Sequence, residues 1–190
     1  EVGGGGAGRN IVLDPCSLLV GAGVRIGCDN VFHATVEISA SGPGGIAIGD
    51  GNHFLPGSLL QAHGGGIRIG SGNRLGEGGL VLDADRPGAV IAIGDHGRYR
   101  YGAVIRGRAA LGSGSQVLGP VIVEDCELGA GGPFTEPDPD RRGGVLKGAG
   151  PARHLHVPQG HVIAAYGPFD QAAMQKQSFF HPKPAPGDTG

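Results

Sequence analysis

Ile93-Gly-Asp-His-Gly-Arg98, Tyr99-Arg-Tyr-Gly-Ala-Val104, Ile105-Arg-Gly-Arg-Ala-Ala110, Leu111-Gly-Ser-Gly-Ser-Gln116, Val117-Leu-Gly-Pro-Val-Ile122 and Val123-Glu-Asp-Cys-Glu-Leu128 decide the fold of this chain. A large apolar residue returns at every sixth position, often followed by glycine. Helical side chains repeat every 3.6 residues and strand side chains every two, so neither element alone gives this beat. A hexad is the mark of a parallel β-helix, in which each six residues make one short strand and one corner.

Outward from this run, the beat passes through Ile26, Phe32 and Ile38, then Ile48, Phe54 and Leu60, then Ile69, Leu75 and Val81. The restarts resemble one another: Ile26-Gly-Cys-Asp-Asn30, Ile48-Gly-Asp-Gly-Asn52, Ile69-Gly-Ser-Gly-Asn73, Ile93-Gly-Asp-His-Gly97 and Leu111-Gly-Ser-Gly-Ser115. They are 22, 21, 24 and 18 residues apart. Three hexads make 18, so each coil reads as a triangle of three strands. Surpluses of four, three and six residues form loops at SASGPGG (39–45), AHGGG (62–66) and DADRPGA (83–89). Glycine and asparagine at the corners are expected to supply the left-handed backbone that turning needs. The pattern predicts a left-handed parallel β-helix of about six to seven coils over residues 10–167. Its apolar hexad starts stack in one interior, and no coil can bury its own face alone. Each open end of the prism is a row of unpaired strand edges that needs a cap or a partner.

The rest of the chain reads as accessories. Residues 1–9 (EVGGGGAGR) are a flexible leader, 129–153 a solvated loop excursion, and 182–190 a Pro/Gly-rich tail. Asp170 caps a short helix over 168–181, with Met174 and an aromatic near Phe179 against the prism flank. That helix ends by His181, before Pro182.

Composition narrows the function classes. The chain has 190 residues, with 41 Gly, 14 Pro and no Trp, but no Gly-X-Y register persists, which excludes collagen. A net charge of −2, from 15 basic and 17 acidic residues, gives no footprint for nucleic acid or an anionic membrane. Cys16, Cys28 and Cys126 are scattered and without a CxxC pair, which fits reduced thiols and a cytoplasmic protein.

The hexads, the Ile-Gly-Asp-Gly-Asn restarts and the closing Val157-Pro-Gln-Gly-His-Val-Ile163 resemble the hexapeptide-repeat, left-handed β-helix superfamily over roughly residues 11–167. That superfamily includes acyltransferases, γ-class carbonic anhydrases and non-catalytic members. The stretch from Gly44 to Leu60 and the final Val-Pro-x-x-x-Val-Ile are similar to the dynactin subunit 6 branch. That likeness implies a non-catalytic assembly or docking subunit in a cytoplasmic dynein-adaptor-type complex, with protein partners: another β-helix stacked on an open end, or self-association. The superfamily resemblance leaves a hexapeptide acyltransferase using acyl-coenzyme A as the alternative, along with a γ-carbonic-anhydrase-like trimer lacking a competent zinc site.

Counted from the restarts, the zinc-ligand positions of the γ-class resemblance fall on Leu82, Tyr101 and Arg106, none a histidine. The expectation is therefore no metal site, no cofactor and no catalytic residue. An acyltransferase needs a histidine base; His63 in AHGGG is the first candidate, with another histidine across an interface as the alternative. His154, His156 and His161 are weighed as a metal cluster. Arg98, Arg100, Arg106 and Arg108, with Tyr101, are expected to form one basic-aromatic strip for docking an acidic partner.

Overall fold

A computed structural model describes residues 8–181. The leader's first seven residues and the 182–190 tail lie outside the described residues. Arg9, still within the expected leader, donates its backbone N–H to Asp29 Oδ1 at 3.1 Å.

The chain winds into a three-faced, left-handed parallel β-helix. On the first face the register runs Ile11, Val31, His53, Arg74, Arg98, Gln116, Val145 and Val162, each residue beside the next. On the second it runs Leu19, Glu37, Leu59, Val81, Val104, Ile122 and Pro151. The third face carries the restart residues themselves: Ile26, Ile48, Ile69, Ile93, Leu111, Leu128 and Val157. Every pairing is parallel except that of Gln175–Lys176 with His161 and Val162. No helix among the described residues is long and apolar enough to cross a membrane.

Inside, like stacks on like. Phe32, Phe54, Leu75, Tyr99, Val117, Leu146 and Ile163 form one buried column, and Ile38, Leu60, Leu82, Ile105 and Val123 another. The rings of Phe32 and Phe54 lie 5.0 Å apart and 4° from parallel. Burying such side chains contributes about 25 cal/mol per Å² of apolar surface, and each coil gains it only from its neighbours.

Four expectations need correction. The third hexad of the Ile69 coil begins inward at Leu82, not Val81, because Leu82 registers with Leu60 and Ile105. One extra residue at the preceding corner causes the shift; Gly78 (φ 74°) and Gly79 (φ 95°) absorb it in left-handed backbone. The restart asparagines are not the left-handed corner residues. Asp29, Gly51, Gly72 and His96, each one position before Asn30, Asn52, Asn73 or Gly97, hold the positive φ, and the three asparagines are fully buried.

The excursion ends at 144 rather than 153: Val145–Arg153 is a nine-residue strand paired on both sides. Nor is 129–144 simply solvated. Phe134 lies under the Arg98 guanidinium, 3.8 Å from its carbon to the ring centroid, and Pro139 is buried. Finally, the helix over 168–181 is broken. Asp170 does cap a turn, accepting from the Ala172 N–H, but that turn is a 3-10 helix of Gln171–Ala173. Gln175–Lys176 then pairs with the prism, and only Gln177–Phe180 is α-helical. The edge of His161–Tyr166 offers ladder bonds, and Gln177 Nε2 donates to Gly143 O at 2.7 Å. These hold the segment extended. Met174 packs on the core as expected, whereas Phe179 is 70% exposed.

Candidate functional site

The four arginines do not form one strip. Arg98 and Arg100 lie on the first face, in the strand Arg98–Arg100, and Arg106 on the second, beyond the corner at Tyr101 and Gly102. Arg100 Nη1 pairs with Glu77 Oε2 at 2.8 Å and stacks on the Tyr101 ring at 4.4 Å. Arg106 stands in register between Asp83 and Glu124. Glu124 Oε2 pairs instead with Arg153 Nε at 3.1 Å, and the Arg106 Nε is buried without a partner. Arg108 turns toward the third face, donating its backbone N–H to Asp125 Oδ1 at 3.0 Å and its Nε to Gly88 O at 3.2 Å.

That bond to Gly88 braces the loop 85–89, which overhangs the corner between the second and third faces. Below it opens a groove of about 1040 Å³. Its floor is the outward column Ala92, Ala110, Glu127, His156, one residue per coil. Two alanines in succession leave the depression; the next two coils raise a carboxylate and an imidazole at its end. His156 Nδ1 stands 3.4 Å from Glu127 Oε2. The His156 backbone is clamped on both sides by Gln171, whose Oε1 accepts from the His156 N–H at 3.0 Å and whose Nε2 donates to its carbonyl at 2.6 Å. Arg86, paired with Asp85 at 3.0 Å, and Arg108 line the opposite wall. The groove is thus lined by two imidazoles, His154 and His156, two carboxylates, Asp125 and Glu127, and two guanidinium groups over a small-residue floor.

The histidines are otherwise scattered. His63 Nδ1 lies 3.0 Å from Ser41 Oγ, the two residues being the exposed, paired ends of neighbouring strands. His154 sits in a left-handed corner at φ 53°, and His161 Nδ1 contacts Gln159 O at 2.8 Å. Among the described residues no group of three or more His, Cys, Asp or Glu side chains is placed to hold a metal ion, so His154, His156 and His161 do not converge. Of the counted zinc-ligand positions, Leu82 faces the dry interior and is fully buried. Tyr101 occupies a left-handed corner at φ 64°. The three positions therefore share no surface.

Sequence reasoning ranked His63 above His156. The signal that favours His156 is its register with Glu127, 29 residues earlier. The intervening excursion hides that spacing from any hexad count.

Hexad register and parallel ladders on three faces define the fold class: a left-handed parallel β-helix. No family model matches the chain, and no curated protein matches it. Among solved structures it is similar to the UDP-N-acetylglucosamine O-acyltransferase LpxA of Moraxella catarrhalis RH4, at 15% identity. That likeness covers 82% of this chain and 69% of the other, with a TM-score of 0.48. It is also similar to LpxA of Acinetobacter baumannii, at 16% identity over the same shares of the two chains, with a TM-score of 0.34.

Proposed function

We propose that this protein is an acyltransferase of the hexapeptide-repeat class, taking its acyl group from a coenzyme A thioester. The observation that carries the reading is the His156–Glu127 pair at the end of the groove. Glu127 faces Nδ1 and leaves Nε2 as the ring nitrogen available to an acceptor hydroxyl or amine. In the proposed step the acceptor attacks the thioester carbonyl as His156 takes its proton. The C–S bond then breaks, and the proton passes to the departing thiolate, releasing coenzyme A. Glu127 is the counter-ion of the imidazolium that forms when His156 acts as the general base. Arg86 and Arg108 supply the charge that a donor's phosphates need.

Acetyl-coenzyme A titrated into the protein, followed by thiol release against a panel of amines and alcohols, tests the proposal. Saturable thermal stabilisation by the donor and turnover abolished in His156→Gln support it. No stabilisation at millimolar donor overturns it.

A second reading, an assembly subunit of the dynactin-subunit-6 kind in a cytoplasmic complex, is favoured by one feature. The first rung exposes a contiguous apolar set: Ile11 is 53% exposed, Leu13 58% and Leu19 56%. Among the described residues the strands of Ile11 and Leu19 have partners on one side only, as a docking edge for another β-helix or a second copy would have. Discovery of that partner on native purification, with an inert groove, would favour this reading over acyl transfer.

A further inference from the structure

The first face carries a second cavity, on a different side of the prism from the groove and unused by the acyl-transfer reading. Outward residues of Arg98–Arg100, Gln116–Leu118, Val145–Arg153 and His161–Tyr166 form its floor. The excursion and the C-terminal segment cover it. These two covers are tied together, since the Ser178 N–H donates to Asp140 Oδ1 at 3.0 Å and Gln177 Nε2 donates to Gly143 O. The enclosed space is about 310 Å³, at the lower edge of the range for small-molecule sites.

Its lining divides by chemistry. Leu118, Val145, Val162 and Phe180 make an apolar wall, while Arg98, Arg142 and Lys147 bring three cations, and among the described residues no acidic side chain lines the cavity. Arg98 is held rigidly: Gln116 Oε1 accepts from its Nε at 3.0 Å and its Nη2 at 2.5 Å, and Phe134 stacks on its plane. Gln116 is itself only 4% exposed, though it points outward from the sheet. Desolvation by this cover, followed by the like charge of Arg100, lowers the Arg98 pKa to about 10. A half-buried guanidinium whose side-chain acceptor among the described residues is a neutral amide carries an electrostatic cost that an anion beside it would offset. The anion's remaining body would meet aliphatic and aromatic carbon.

We infer that this cavity binds a small amphipathic carboxylate, its head group among Arg98, Arg142 and Lys147 and its apolar body against Leu118, Val162 and Phe180. Isothermal titration of the full chain with octanoate tests this, with octanol and inorganic phosphate as the comparison ligands. One octanoate per chain is expected, weakened at least about tenfold in Arg98→Gln, a fold-change equal to about 1.4 kcal/mol. Lys147→Gln, at an exposed position that no fold contact depends on, should weaken it several-fold and keeps the test decisive if Arg98→Gln fails to fold. Absence of saturable octanoate binding overturns the inference. So does octanol binding as tightly as octanoate, or phosphate competing as well as octanoate, which would mark a bare anion site. Because the cavity and the groove share no residue, His156→Gln should leave octanoate binding unchanged. Failure here leaves the acyl-transfer reading standing, and the reverse also holds.

Discussion

Asn52 reaches Asn30 with both its backbone and its side-chain amide, which converge on Asn30 Oδ1 at 2.9 and 3.0 Å. Asn73 does the same to Asn52 Oδ1 at 3.0 Å, and Asn30 to Asn10 Oδ1. The result is a buried ladder of amides up one corner of the prism. A parallel column answers it beside the corner, where Asp50, Ser71, Asp95 and Ser113 each accept the backbone N–H of the rung below. The amide ladder ends where Gly97 replaces asparagine, with the Gly97 N–H donating to Asn73 Oδ1. A Cβ at Gly97 would stand 2.5 Å from the Tyr99 hydroxyl, so glycine there makes room for the tyrosine that continues the core column.

Replacing Asn52 by alanine strands the Asn73 N–H and Gly70 O in a dry interior, while Asn30 Oδ1 keeps the backbone N–H of residue 52. Each unsatisfied buried group costs about 1–3 kcal/mol. Asn52→Ala should therefore lose at least about 2 kcal/mol in urea unfolding. Asn10→Ala, at the exposed end of the same ladder, should lose about 1 kcal/mol. Equal losses at both sites would show that the ladder is not a cooperative element.

Tyr99 is fully buried, with its hydroxyl 2.8 Å from Ser115 Oγ. Burial pushes its ionisation well above the usual tyrosine range, and only the Ser115 bond opposes it. The folded state therefore prefers the protonated phenol. Its contribution to stability is intact below the unfolded pKa of about 10 and is lost as pH rises from there toward the folded value. An alkaline spectrophotometric titration should show one tyrosine, Tyr99, ionising only on unfolding. Tyr99→Phe should remove that late step and lower stability by about 1 kcal/mol. Three tyrosines titrating together would contradict the buried placement.

Much of this fold was legible because a hexad forces a fixed number of side chains inward per coil. Phe54, Leu60, Leu75 and Ile105 were placed in the interior from spacing alone. The failures share a cause. Leu82 was displaced by one inserted corner residue, which a hexad count cannot see. The restart asparagines were misread because a corner and the position after it differ by a single residue, although their burial differs completely. The strip of arginines failed because a corner at Tyr101 and Gly102 sends consecutive hexads to different faces. The His156–Glu127 pair was beyond reach of any local count, since stacking brings residues of separate coils together and the excursion breaks the interval. The C-terminal helix yielded to ladder bonds and to Gln177, whose side-chain amide found backbone carbonyls on the prism.

Cysteine reactivity should separate the three thiols. Cys126 is buried and donates to the Glu124 and Ala152 carbonyls, both at 3.3 Å, and burial raises its pKa. Cys16 is exposed. Since the thiolate is the reacting species, Ellman's reagent should modify Cys16 rapidly and Cys126 only in denaturant. Peptide mapping after limited reaction checks this; early labelling of Cys126 would mean that the corner above the groove opens readily.

If the His156–Glu127 pair acts as proposed, Glu127 is a positioning residue rather than one that touches the acyl group. Glu127→Gln keeps the shape but removes the counter-ion, so kcat should fall about 10- to 100-fold, less than the roughly 10²- to 10⁴-fold that the base itself contributes. The KM for acetyl-coenzyme A should stay within about twofold, because removing an interaction made only on the way to the transition state spares ground-state binding. Arg108→Gln should do the opposite, raising KM and making it less sensitive to salt, since its charge serves the donor's phosphates. A Glu127→Gln variant whose only defect is in KM would assign the carboxylate to substrate binding and leave His156 without an orienting partner.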